Sequence, residues 1–238
     1  MDEKSSLLTD EDTASGASTT MQIPRLYAIL DAACFGDTGV MLHAAEELVA
    51  GGCTLIQYRN KTGTAREMLE QARELKRVVS YTNVAKDATL AWGSQCSVRL
   101  IVNDRADLAL AAEFDGLHLG QDDLSPEAAR RIIGPDRWLG ISTHNPEQIA
   151  IADRTDADYL AIGPVFTTTG KANPDPVIGL EGVRRARELT RKPLVAIGGV
   201  TRANARSVIE AGADSVAVIS DLLRDPRKSA EAFFTVLR

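Results

Sequence analysis

The sequence predicts an α/β fold, a single (β/α)8 TIM barrel. Three observations carry this. Short apolar runs alternate eight times with longer amphipathic segments from Arg25 onward. Most connections between them are short, as in a parallel sheet wound with helices. And 238 residues suit one closed barrel, which commonly takes about 250 residues, better than two domains.

The units follow one another as strand then helix. The apolar runs fall at 26–30, 54–58, 99–102, 116–119, 138–141, 159–162, 193–197 and 215–218. The helical segments fall at 40–50, 66–79, 106–112, 126–133, 146–152, 180–189, 202–211 and 226–237. Ser125, Asn145 and Thr201 precede helices as N-caps, and Pro126 and Pro146 suit the first turn. Gly51, Gly52 and Gly212 follow helices as terminators. The stretch 80–98 is long for a loop and extends the second helix through 85–92. Residues 1–20 are rich in Ser, Thr, Asp and Glu and read as a flexible tail, leaving 21–238 as the barrel domain.

Composition narrows the functional classes. A hydrophobic content of 44% supplies a core, and the formal net charge is -6 with no basic stripe, which gives nucleic-acid binding no support. No apolar stretch approaches the roughly 20 residues of a membrane span, and the N-terminus carries no apolar leader core. Cys34, Cys53 and Cys96 have neither metal-knuckle nor disulfide spacing, and read as free thiols of a cytoplasmic protein. The reading leaves room for a homo-oligomer.

In such barrels the chemistry sits at the C-terminal ends of the strands. After the second run, Gln57, Arg59 and Lys61 share one strand face, an amide and two cations suited to a pyrophosphate. The third and fourth runs end in Asn103, Asp104 and Arg105, and in Gly120, Gln121, Asp122 and Asp123. Carboxylates on neighbouring strand ends suit Mg²⁺, which takes one or two of them and completes its shell with water and phosphate; chemistry alone does not separate Asp122 from Asp123. His118, inside the fourth run, reads as structural. Ser142 and Thr143 offer small hydroxyls, and nothing nearby in sequence orients His144. The sixth run ends in a loop with Thr167, Thr168, Thr169, Gly170 and Lys171, suited to phosphate. Gly198 and Gly199, with Ile219 and Ser220, fall after the seventh and eighth runs, where many barrels bind phosphate. Two phosphate-suited regions on one mouth imply two phosphorylated ligands or one doubly phosphorylated one.

Taken in order, these segments resemble the thiamine phosphate synthase family. The matches are Tyr27 to Asp31; Gln57, Tyr58, Arg59, Asn60 and Lys61; Val102, Asn103, Asp104 and Arg105; and Asp115 to Asp123. They continue through Gly140 to His144, Gly163 to Phe166, and Ile197, Gly198 and Gly199. The resemblance implies a Mg²⁺-dependent transferase acting on two small molecules, a pyrimidine pyrophosphate and a thiazole phosphate. It implies that Gln57, Arg59, Lys61 and Lys171 serve catalysis and, with Asn103 and Ser142, hold the pyrimidine substrate, Gln57 near the ring. It implies Asp104 and Asp123 as metal ligands, and Thr168, Thr169, Gly170, Gly199, Ile219 and Ser220 around the thiazole phosphate. The chain departs from the family at Gly170, where a second Thr usually precedes the loop lysine. A thiazole tautomerase of the same superfamily matches less well at the pyrophosphate and metal positions, and a non-catalytic binder of thiamine precursors need not keep them.

Overall fold

A computed structural model describes residues 21–89, 97–168 and 175–238. The expected tail at 1–20, Cys96, Thr169, Gly170 and Lys171 lie outside the described residues.

Eight strands form a closed parallel barrel in sequence order: β1 (Leu26–Asp31), β2 (Leu55–Arg59), β3 (Arg99–Asn103), β4 (Gly116–Leu119), β5 (Trp138–Thr143), β6 (Tyr159–Ile162), β7 (Leu194–Ile197) and β8 (Ser215–Val218), with β8 pairing back to β1. The helices between them are α1 (Thr38–Ala50), α2 (Ala65–Thr89), α3 (Ala106–Ala111), α4 (Pro126–Ile133), α5 (Pro146–Asp153), α6 (Gly179–Leu189) and α7 (Ala205–Glu210); α8 (Ser220–Leu223) and α9 (Pro226–Val236) close the chain. All eight expected units are present. None of the described helices is long and apolar enough to cross a membrane.

Alternation along the strands divides the apolar residues into two cores. Leu26, Ala28 and Leu30 of β1 point outward, and with Ile56, Leu100, Val102 and Leu117 they meet the helices. Tyr27, Ile29, Leu55, Ile101, Tyr159, Ala161, Val195 and Ala217 point inward and fill the barrel. The helices bury the stripes that face the first set. In α1 these are Met41, Ala44, Ala45, Leu48 and Val49, the spacing of one helical face. In α2 they are Met68, Ala72, Leu75 and Val79. Each fully buried Leu or Met contributes about 1.5–3 kcal/mol, so the outer shell supplies most of the cohesion.

The helix ends show how the chain is punctuated. The Ser125 and Asn145 side chains accept from Ala128 N (3.2 Å) and Gln148 N (2.9 Å), with Pro126 and Pro146 in the first turns. Thr64 and Glu67 form a reciprocal capping box at the start of α2, which runs to Thr89, well beyond the 66–79 core of the expected segment. The cap expected of Thr201 is not made. Instead Asn204 folds back, its Oδ1 accepting from Thr201 N (2.8 Å) and its Nδ2 donating to Gly199 O (3.0 Å), so α7 starts only at Ala205. The short helix α8 was not expected.

Candidate active site

Parallel register brings the polar ends of the strands into one mouth. Asp31 of β1 lies beside Arg59 of β2, and their side chains form a largely buried ion pair. Lys61, just past β2, reaches the end of β3 and sits 3.2 Å from Asp104 Oδ2. Both cations expected at this strand end therefore face carboxylates.

Asp104 adopts a left-handed backbone conformation, φ 63°, which residues other than glycine rarely take and which collects at functional sites. Its N–H donates to His118 O (2.8 Å), holding the end of β3 against β4 while the side chain faces the mouth. There it meets Asp123, whose Oδ2 accepts from Gly120 N (2.7 Å). Burial, then the hydrogen bond and charge of Asp123, push the Asp104 carboxyl above its ordinary range, against the opposite pull of Lys61. Two carboxylates held together beside a lysine are a charge arrangement that a cation relieves, so the donor set fits Mg²⁺. The geometry also separates the two aspartates that chemistry alone left open: Asp123, not Asp122, faces Asp104. Among the described residues no cluster of three or more His, Cys, Asp or Glu could hold a metal.

Gln57 is buried on the inward face of β2. Its Nε2 donates to Tyr27 Oη (2.8 Å), which lies 3.0 Å from Tyr159 Oη. Tyr159 Oη lies 3.0 Å from His118 Nδ1, and His118 Nε2 lies 2.9 Å from Ser142 Oγ. Burial pushes both tyrosine hydroxyls upward and the His118 imidazole down to about 4, so the ring is neutral near pH 7. Gly140 of β5 makes the joint between Tyr159 and His118 feasible. A Cβ there would meet Tyr159 Cζ at 2.1 Å and His118 Nδ1 at 2.5 Å. Asn103 stands next to His118 in register.

On the far side of the mouth, β6 continues past its end beside β7, with Val165 N donating to Ile197 O and Phe166 N to Gly198 O, both 2.9 Å. Gly199 has φ 64°, and a Cβ on it would meet Thr167 O at 2.6 Å. The close approach it permits is therefore to the β6 loop, which Thr168 continues. Ile219 and Ser220 open α8, and Asp221 in its first turn pairs with Arg202 at 3.0 Å, tying the loops after β7 and β8 together. His144 is oriented after all, by Gly163 O at 2.6 Å from Nδ1 and by Asp175 at 3.5 Å.

Asp31, Tyr27 and Tyr159 were not singled out as functional in the sequence. Tyr27 and Asp31 share a strand face in the sequence, but Tyr159 and Arg59, which meet them in the closed barrel, come from elsewhere in the chain.

A parallel barrel with a carboxylate pair, two cations and two glycine-bearing loops at the C-terminal end of its sheet is of the phosphate-binding (β/α)8 enzyme class. Comparison with known proteins narrows the class. Residues 26–222 match the family described as thiamine monophosphate synthase. A thiamine-phosphate synthase of Koribacter versatilis is 58% identical over 220 residues, 91% of this chain and 97% of the relative. One from Chloroflexus aurantiacus is 44% identical over 198 residues, covering 82% and 83% of the two chains. Among solved structures, a thiamine phosphate pyrophosphorylase from Pyrococcus furiosus superposes with a TM-score of 0.75 at 33% identity, over 90% of this chain and 95% of that one. The chain belongs to the thiamine monophosphate synthase family.

Proposed function

We propose that the mouth joins 4-amino-2-methyl-5-hydroxymethylpyrimidine pyrophosphate to 4-methyl-5-hydroxyethylthiazole phosphate, giving thiamine phosphate and pyrophosphate, with the following division of labour. The transferase activity is that of the family, and the residues fit it. The observation that carries the assignment is the Asp104, Asp123 and Lys61 cluster, three charged groups from consecutive strand ends gathered at one point.

Asp104 and Asp123 would hold Mg²⁺, which supplies positive charge against the oxygens of the pyrophosphate. Arg59, Lys61 and Lys171 bind the same group, Arg59 through its planar fork and the lysines as point charges. Ser142 and Asn103 add hydrogen bonds, and Gln57 faces the pyrimidine ring. The thiazole phosphate sits across the mouth, against the loops that carry Thr168, Thr169, Gly170, Gly199, Ile219 and Ser220.

The carbon–oxygen bond to pyrophosphate breaks with its electron pair leaving on oxygen. The methylene cation left behind is delocalised into the aminopyrimidine, and the lone pair of the thiazole nitrogen captures it. No proton need move in this sequence, which accords with a site rich in phosphate-binding groups. The barrel's task is to align the rings and exclude water that would trap the cation. The partners are small molecules, and the setting is cytoplasmic.

The test is an end-point assay of purified protein with both substrates, with Mg²⁺ or with chelator, read by mass. Mg²⁺-dependent thiamine phosphate is the expected result. No product from folded protein refutes the assignment, and isomerisation of the thiazole substrate would then point to a tautomerase.

A further inference from the structure

A hydrogen-bonded line of polar groups crosses the largely apolar interior of the barrel. Gln57, Tyr27, Tyr159, His118 and Ser142 connect β2, β1, β6, β4 and β5 through four hydrogen bonds of 2.8–3.0 Å. Tyr27 and Tyr159 are buried among Ile29, Leu55, Ile101, Ala161, Val195 and Ala217, and His118 stacks on Tyr159 with ring centroids 5.6 Å apart. Buried polar groups must find partners, and a Phe or Leu at these positions would fill the same space without that demand.

Such a line has a direction. Each hydroxyl owns one proton, and a neutral imidazole has one donor and one acceptor nitrogen. The two ring nitrogens of His118 have hydroxyls as their hydrogen-bond partners. A buried hydroxyl proton also needs an acceptor, so the links all point the same way and two arrangements satisfy every group. In one, the Gln57 amide donates to Tyr27, Tyr27 to Tyr159, and Tyr159 to His118 Nδ1. His118 Nε2–H then donates to Ser142 Oγ. Ser142 keeps its own proton for a ligand, and Gln57 keeps its Oε1 as an acceptor. In the other arrangement every link reverses, leaving Ser142 its lone pairs and Gln57 its N–H. Phosphate oxygens can only accept, so the first arrangement suits an anion at Ser142. It also presents Gln57 as acceptor to an N–H of the ligand, such as the amino group of the pyrimidine. The amide nitrogen of Gln57 faces Tyr27, as the first arrangement requires.

We propose that Tyr27, Tyr159 and His118 are positioning residues that set the donor sense of Ser142 and the acceptor sense of Gln57 together, so that the site reads an amino group and a phosphate on one ligand as a matched pair. This rests on the assignment of Ser142 and Gln57 to the pyrimidine substrate.

Steady-state kinetics with both substrates test it. Ser142→Ala in the otherwise wild-type chain should raise KM for the pyrimidine pyrophosphate about tenfold, the loss of one charge-assisted hydrogen bond. Tyr159→Phe removes the middle hydroxyl while keeping the ring. It should raise that same KM and leave KM for the thiazole phosphate within about twofold. In the Tyr159→Phe background, Ser142→Ala should cost about threefold or less, because the serine has lost its fixed sense. If Tyr159→Phe fails to fold, Tyr27→Phe cuts the line one link earlier and carries the same expectations. Fully additive effects in folded variants, or equal rises in both KM values, overturn the proposal and leave the site assignment standing. An unchanged KM in Ser142→Ala alone overturns both.

Discussion

Gly140→Ala perturbs the barrel interior at its tightest joint. The added methyl would stand 2.1 Å from Tyr159 Cζ, 2.4 Å from Tyr159 Oη and 2.5 Å from His118 Nδ1. Ordinary carbon contacts are about 3.5–4 Å, so one of the two rings must move by more than about 1 Å. Tyr159 is fully buried and His118 nearly so, and overpacking of this kind costs about 1–3 kcal/mol. Displacing the rings also stretches the Tyr27–Tyr159 and Tyr159–His118 hydrogen bonds, at about 0.5–1.5 kcal/mol each. The sum is about 2–6 kcal/mol. For a domain of this size each kcal/mol lowers Tm by about 2–4 °C, so a fall of about 4–24 °C is expected. Circular dichroism melts of wild type and variant give Tm, and urea titrations give the change in midpoint at constant slope. A Tm within about 2 °C of wild type would refute the claim that this position must lack a side chain.

Two further predictions concern charge. Asp104→Ala should remove most activity, and calorimetric titration should show weakened Mg²⁺ binding; near-normal turnover with unchanged Mg²⁺ affinity would remove Asp104 from the metal assignment. His118 has its folded pKa lowered to about 4, against about 6.5 in the unfolded chain, so the unfolded chain holds the extra proton between those values. Its contribution is full above about pH 6.5 and is lost as pH falls toward 4, about 3 kcal/mol across that window. In urea unfolding, His118→Gln should therefore lose about 2 kcal/mol less between pH 7 and pH 5 than wild type does; an equal loss in both proteins would refute it.

The fold was legible because its signal is periodic and local. Runs such as 159–162 and 194–197 are short and apolar, as strands buried on both faces must be, and Ser125 with Pro126 marks a helix start within a few residues. Thr201 misled because Ser, Thr and Asn all suit a cap, and the choice of Asn204 as the folded-back residue depends on Gly199 O across the turn. At the site, Asp104 and Lys61 were legible as strand-end residues, whereas their mutual approach follows from register. The line from Gln57 to Ser142 was hidden for a plainer reason. Tyr27 and Tyr159 lie 132 residues apart, and each looks like an ordinary strand aromatic until the barrel closes. Asp31 likewise shows its purpose only when β1 and β2 align it with Arg59.

The ion pairs at the rim also bear on traffic through the mouth. Arg59 and Lys61 are each paired with an acidic neighbour, so neither is an open berth for stray anions. An arriving phosphate must outbid a tethered rival that never diffuses away. On the proposed assignment, Asp31 and Asp104 would re-form these pairs once pyrophosphate leaves. The two cations would thus carry their own competing occupants, which on that assignment would temper product retention and favour a substrate that brings two ends over inorganic phosphate or sulfate.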